Sequence, residues 1–319
     1  LECIAEHDRQ GLWVPAFAGT TEEAAWSGAL KMKPWLVLIS FYFGRWPPWM
    51  NFFVESCKWN PGIRWLIYTD CGEPENSADN IKYVHISFDD YKAMARERLG
   101  IAFDPVHPFK ICDLRPAFGL LHERDIAGYP FFGYSDIDVI FGDISRFYGE
   151  RQFAELDVVS THPDRLSGHF AVLRNTPDIR GMFESIPRYR QLLELPDQMS
   201  VDETHFSQLV LHSPALRTLF VERHSTVLSV RGWHDGTMNY PQRWFWQRGK
   251  LTNERDGERE FLYLHFMRWQ SAHWINNPPV PGEAAWVGHD IIHTDWRKAA
   301  TDGFSISPAG FSSIVPNET

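Results

Sequence analysis

The chain is short of several things, and each shortage narrows what it can be. Cysteine is scarce: Cys3, Cys57, Cys71 and Cys112 are the only ones in 319 residues. None forms a C-x-x-C pair and the spacing fits no zinc pattern, so reduced, mostly buried thiols in a cytoplasmic protein are expected. Positive charge is scarce too. Lys and Arg number 31 against 41 Asp and Glu, a formal net charge of -10. That balance excludes the broad basic surface of a general nucleic-acid binder. It leaves room for an anionic small ligand, because a bound cation and a few basic side chains can reverse the local potential. Long apolar runs are missing: the longest, Trp35 to Phe43, falls well short of the roughly 18 residues that cross a bilayer. The first residues lack a basic start followed by an apolar stretch, so no signal peptide is expected. G-x-x-x-x-G-K-[ST], G-x-G-x-x-G after a strand and G-x-S-x-G are also absent, which removes the commonest phosphate-loop, dinucleotide and serine-hydrolase readings. There is no internal repeat.

Apolar residues make up 44% of the chain and aromatics 15%, with 14 Trp. A substantial core can therefore form, and exposed Trp or Tyr rings could stack on bases or on sugar faces. Residues 1–31 read differently from the rest. They are rich in small residues and resemble translated interspersed repeats upstream of bacterial reading frames. Met32 is expected to be the natural start, with 32–275 as the functional domain and 276–319 as an extended tail.

From Met32 strands and helices alternate. Trp35 to Phe43 reads as a strand covered on both faces. Pro47 and Pro48 open a helix that stops before Pro61. Arg64 to Asp70 and Ile81 to Ser87 read as strands, Asp89 to Leu99 and Phe109 to Glu123 as helices. Later, Asp157 to Thr161, His169 to Arg174, Ser225 to Trp233 and Phe261 to Trp269 read as strands, and Asp178 to Leu195 and Asp202 to Leu211 as helices. The pattern predicts a single Rossmann-like α/β domain with a mostly parallel mixed sheet between helices.

The chemistry concentrates at Asp136-Ile137-Asp138. If the apolar run before them continues as a strand, Asp136 and Asp138 share one face while Ile137 points into the core. Two half-buried carboxylates side by side repel each other, and a divalent cation between them removes that cost. In open α/β sheets ligands bind beyond the carboxyl ends of the strands. Tyr42, Asp70 and the carboxylate pair would then line one crevice.

Four other groups have both a plain and a functional reading. Lys110 and Asp113, three apart on a helix, form a surface ion pair, or else Asp113 or Arg115 touches a nucleotide. Asp202 caps its helix, or Asp202 and Glu203 are acceptor-binding or catalytic carboxylates. By alternation His265 faces away from Leu262, Leu264 and Phe266. It is either a satisfied, partly buried residue or a metal ligand. Gly168-His169, before a strand, is a pocket wall or an ordinary turn.

Four segments, Phe41 to Pro47 (FYFGRWP), Phe52 to Pro61 (FFVESCKWNP), Pro108 to Pro116 (PFKICDLRP) and Gly133 to Asp143 (GYSDIDVIFGD), resemble an uncharacterised bacterial family of the GT-A class of nucleotide-sugar glycosyltransferases. The likeness spans about Met32 to Trp269; more loosely, the chain is similar to glycosyltransferase families 8 and 32. The resemblance implies a metal-dependent, hexosyltransferase-like enzyme using Mn²⁺ or Mg²⁺, a UDP- or GDP-sugar donor and a surface-glycan acceptor. It implies Asp136, Asp138 and His265 as metal ligands. It places Asp113, Arg115 and Asp136 near the nucleotide, where Tyr42, Asp70 and Lys110 are further candidates from their positions, and Asp202 and Glu203 near donor sugar and acceptor. The family 8 ending Gly-x-x-Lys-Pro-Trp is not reproduced. Met267-Arg268-Trp269 stands there, with Arg268 as a candidate phosphate contact. The resemblance also implies a cytoplasmic location, with peripheral association at the inner membrane face allowed. A D-x-D phosphohydrolase and a non-catalytic nucleotide- or glycan-binding module are the alternatives.

Overall fold

The apolar run after Met32 becomes the central strand of the molecule. In the computed structural model, β1 is Leu36–Tyr42. The residues described are 33–221, 233, 237, 239–266, 269, 286 and 289–314. Leu36 and Leu38 enter the core on one face of β1, and Val37 and Ile39 enter a second core on the other. A strand buried on both sides has no polar face to show in its sequence, which is why the run is continuous rather than alternating.

Six further strands join β1: β2 (Ile63–Thr69), β3 (Ile81–His85), β4 (Phe131–Ser135), β6 (Val158–Ser160), β7 (Phe170–Arg174) and β8 (Thr218–Phe220). Their order is β3-β2-β1-β4-β7-β6-β8. β1, β2, β3 and β4 run parallel, β7 is antiparallel to both β4 and β6, and β8 is parallel to β6. The chain is therefore mixed α/β with a large, mostly parallel sheet flanked by helices. β1 leads outward to β2 and β3, whereas β4 returns to the opposite side of β1. The crevice between the ends of β1 and β4 is a topological switch point, where such sheets bind ligands.

Helix α1 (Met50–Lys58) follows Pro47 and Pro48 as expected. In α2 (Phe88–Leu99) the Ser87 side chain accepts from the Asp90 N–H, and Gly100 closes the helix at φ 62°. Only a residue without a Cβ adopts that left-handed angle readily. Elsewhere the expected helices are broken. Phe109 to Glu123 is a 3₁₀ helix over Pro108–Ala117 followed by one α-turn, Phe118–Leu121. Pro116 supplies no N–H to an α-helical ladder. Asp178 to Leu195 divides into Pro177–Gly181, Met182–Ser185 and Tyr189–Glu194.

Among the described residues there are two smaller sheets. β9 (Trp244–Gln247) and β10 (Lys250–Asn253) join β12 (Phe304–Ser307) and β13 (Gly310–Ser312) in the order β10-β9-β12-β13. This corrects the expectation of an extended tail. Pairing with β9 and burial of Phe304, Ile306 and Phe311 fix the segment, and the Pro and Gly between elements hid it in the sequence. The second small sheet pairs β5 (Val139–Phe141) with β11 (Tyr263–His265), so the strand expected over Phe261 to Trp269 is shorter. The strand expected at Ser225 to Trp233, apart from Trp233 itself, and the extension 1–31 lie outside the described residues.

Asp157 ties three strands of the main sheet together. Its carboxylate accepts from Arg217 N at 2.9 Å and Arg174 Nε at 2.8 Å. Burial opposes its ionisation, but the hydrogen bonds from Arg217 and Arg174 prevail and hold its pKa down to about 2. A depressed carboxylate stabilises the fold above its unfolded pKa, and that stability is lost as pH falls through the folded value. Asp157→Asn is expected to cost about 2 kcal/mol near neutrality. The gap from wild type should close between about pH 4 and 2; urea unfolding across that range checks this, and a constant gap would rule out an ionised Asp157 as its source.

Candidate functional site

At the switch point Ser40 Oγ donates to Ser135 O at 2.7 Å, fastening the end of β1 to the end of β4. β4 stops at Ser135, so Asp136 and Asp138 lie in the turn between β4 and β5, not at alternate positions within a strand. Ile137 still points into the core at 6% exposure. Trp49 Nε1 donates to its carbonyl at 3.0 Å and pins the turn.

The pairing of β11 with β5 sets His265 opposite Val139, and Phe266 N donates to Asp138 O at 3.1 Å. His265 thereby reaches the aspartates from far along the chain. One candidate ligand atom from each of Asp136, Asp138 and His265 lies within 4.8 Å of the others. His265 Nε2 stands 3.4 Å from Asp138 Oδ2. Two carboxylates and an imidazole at this spacing fit a divalent cation, and the imidazole favours Mn²⁺ over Mg²⁺. Burial disfavours a charged His265, but Asp138 and then Asp136 outweigh it and raise its pKa. For Asp136, burial raises the pKa, Arg115 opposes that, and Asp138 adds to it, leaving the group at about 6.

Arg115 joins this cluster to a second one. Its guanidinium is buried, pairs with Asp136 through Nη2, and reaches Asp202 Oδ2 at 3.0 Å through Nη1. It also lies over the Tyr134 ring, 5.4 Å from the centroid. Burial holds Asp202 at about 6, against the pull of Arg115 and with a push from Glu203. Asp202 begins a π-helical turn, Asp202–Phe206, where a plain helix was expected. π-turns re-aim side chains and are frequent at functional sites. Here Asp202 faces Arg115, while Glu203 Oε1 accepts from Gly168 N at 3.1 Å. A Cβ on Gly168 would lie 2.7 Å from Glu203 Oε1 and 2.8 Å from Arg115 Nη1, so a side chain there would push both groups out of these positions.

The remaining candidates divide. Tyr42 closes β1, stacks on Trp46 at 5.6 Å, and opens onto a cleft of ≈ 600 Å³ lined also by Arg45, Trp49, Trp286 and His289. The indole N–H groups of Trp46, Trp49 and Trp286 donate to the carbonyls of Gly72, Ile137 and Pro308. The cleft therefore presents ring faces rather than indole donors. Burial, then Cys71 and then Asp138 raise the Tyr42 pKa, so the phenol senses Asp138. Asp70 is exposed and accepts from Gly44 N, holding the loop after β1.

Lys110 and Asp113 depart from both sequence readings. They are neither a surface pair nor open to a nucleotide, being 2% and 0% exposed. Lys110 Nζ donates to Asp113, Leu192 O and Asp197 O, and Asp113 accepts from Met199 N and Val201 N. The pair braces the loop leading into Asp202. In a 3₁₀ helix residues three apart eclipse one another, which turns Lys110 and Asp113 inward together. Sequence reasoning missed Trp49, Thr161 and Tyr263. Of these, only Tyr263 carried a signal, sharing a strand face with His265. Arg268 lies outside the described residues.

Several solved structures overlap this chain, three of them as follows. One is a galactosyltransferase, LgtC, in complex with donor and acceptor sugar analogues: 11% identity, 53% of this chain and 71% of that one, TM-score 0.33. Another is an active-site mutant of LgtC: 10% identity, 77% and 92% coverage, TM-score 0.39. The third is mouse xyloside xylosyltransferase 1 in its apo form: 9% identity, 72% and 97% coverage, TM-score 0.36. No curated protein matches it significantly. The model of a family of unknown function, DUF6625, matches residues 38–290. That span covers most of the sequence, and the chain belongs to this family.

Proposed function

We propose that the chain is a metal-dependent glycosyltransferase that moves a sugar from a nucleotide-sugar donor to a glycan acceptor. The observation that carries this reading is the convergence at one switch point of Asp136, Asp138 and His265. The aromatic cleft opening from Tyr42 supports it. A divalent cation held there would neutralise the donor diphosphate and stabilise the departing nucleoside diphosphate.

The chain's own residues would do the rest. The rings of Tyr42, Trp46 and Trp49 offer flat surfaces for a base or a sugar face. Arg115 keeps Asp136 and Asp202 ionised and oriented in a buried setting. Glu203, held by Gly168 N, is the carboxylate proposed to accept from an acceptor hydroxyl. UDP- and GDP-sugars are the proposed donors, a surface polysaccharide the proposed acceptor, and the inner membrane face the proposed place of action. A D-x-D phosphohydrolase is less favoured. Its nucleophilic aspartate works beside a lysine, whereas Asp136 is engaged by Arg115 and Lys110 is committed to Asp113 and two carbonyls.

The test is a thermal-shift screen of UDP- and GDP-sugars with Mn²⁺ and with chelator, alongside release of nucleoside diphosphate. Stabilisation by at least one nucleotide sugar is expected only when Mn²⁺ or Mg²⁺ is present. Binding that survives chelation without turnover would instead favour the binding-module reading, and silence across the screen would sink the proposal.

A further inference from the structure

One buried group, His169, touches the candidate cation cluster without belonging to it. His169 stands just before β7 and is 5% exposed. Its backbone carbonyl accepts from Asp136 N at 3.3 Å. Its ring stacks on that of His265, with centroids 4.0 Å apart and planes 25° apart. One residue thus contacts both halves of the cluster, the turn after β4 and the strand β11. The ring itself is fixed from two further sides. The Tyr263 hydroxyl shares a hydrogen bond with His169 Nε2 at 2.7 Å, and Thr161 Oγ1 shares one with the same hydroxyl at 2.6 Å. The edge of His162 meets it with centroids 5.6 Å apart. Tyr263 and His265, two apart on β11, project to the same side, so one ring can meet both.

We propose that His169, locked by Tyr263 and Thr161, is a positioning residue that sets the plane of the His265 imidazole toward Asp136 and Asp138. This rests on the reading of those three residues as a cation site. A metal bond to imidazole is directional, and ligands must be held within about 0.5 Å and 10–20° of the productive geometry. Partners behind a ligating histidine are worth roughly 10–100-fold in metal affinity. A hydrogen bond usually does this; here a stacked ring with its own hydroxyl anchor does it. Because carboxylates suit Mg²⁺ and imidazole suits Mn²⁺, the positioning matters more for Mn²⁺.

The test compares the full chain with Tyr263→Phe, Thr161→Val and Tyr91→Phe. Free and bound Mn²⁺ are followed by electron paramagnetic resonance, and Mg²⁺ by competition. The control is well matched: Tyr91 OH also meets a buried histidine, His122 Nε2, at 3.0 Å, but in the core behind α2. Tyr263→Phe is expected to weaken Mn²⁺ about tenfold, to weaken Mg²⁺ less, and to broaden the bound-Mn²⁺ signal. Thr161→Val should move the same readouts by a few-fold, and it carries the test if Tyr263→Phe does not fold. Tyr91→Phe should lose stability yet bind Mn²⁺ as wild type does. Wild-type Mn²⁺ affinity in Tyr263→Phe and Thr161→Val, or an equal loss in Tyr91→Phe, overturns the positioning role alone. A wild-type chain that binds no Mn²⁺ overturns the cation site and this inference together.

Discussion

On the proposed function, Asp138→Asn is expected to abolish tight Mn²⁺ binding and to lower sugar transfer about a thousand-fold. The substitution keeps the shape of the side chain and removes its charge. Asp138 is the carboxylate that faces His265, at 3.4 Å, so it closes the donor set between the turn and β11. The electrostatic stabilisation of a departing diphosphate is worth several kcal/mol, and each 1.4 kcal/mol is about tenfold in rate. Loss of transfer alone would not separate chemistry from misfolding; the metal-free protein does. Asp138 adds to the repulsion around Asp136, so removing its charge should leave the melting temperature in chelator unchanged or higher. The stabilisation that Mn²⁺ confers on wild type should vanish. A variant that is still stabilised by Mn²⁺ and still transfers sugar would remove Asp138 from the site.

The second large effect is on stability. Arg115→Met should destabilise the metal-free protein by about 3–5 kcal/mol near pH 8, because it strands two carboxylates that shared one buried guanidinium. The methionine fills much of the space over Tyr134, so the deficit is electrostatic rather than a cavity. Its pH dependence identifies it. Burial raises the pKa of Asp202 to about 6 even with Arg115 in place, and without it the shift grows. A carboxylate with a raised folded pKa contributes stability below its unfolded value, near 4, and loses it as pH rises through the folded value. The variant should therefore approach wild type at pH 5 and fall furthest behind at pH 8. Urea unfolding at the two pH values decides this, and a deficit independent of pH would point to lost packing instead. Added Mn²⁺ should recover part of the loss at pH 8 by placing positive charge beside Asp136.

How much of this was legible in the sequence depended on whether the cause was local. The central strand was legible because burial on both faces leaves an unbroken apolar run, Leu36–Tyr42. The ends of α2 were legible because Ser87 and Gly100 answer a backbone requirement within a few residues. Asp136 and Asp138 stood out because charge at the end of an apolar run needs a reason. The strand thought to carry them was drawn too long, since residue types do not say where pairing with β7 stops. Lys110 and Asp113 were misjudged for a related reason. Their spacing is identical in a surface helix and in a buried 3₁₀ turn, and only the loop before Asp202, supplying Met199 N and Val201 N, shows which applies.

The sequence by itself determined the periodicities, the α/β class and a carboxylate pair beyond a strand, because each follows from neighbours along the chain. Only the tertiary structure decided what that pair faces. His265 meets Asp138 because β11 pairs with β5, and Arg115 bridges Asp136 and Asp202 because a 3₁₀ helix and a π-turn aim them together. His169 can touch both sides of the cluster because β7 runs beside β4. Contacts between residues far apart in the chain depend on strand order and on helix pitch, and neither is written in any one segment.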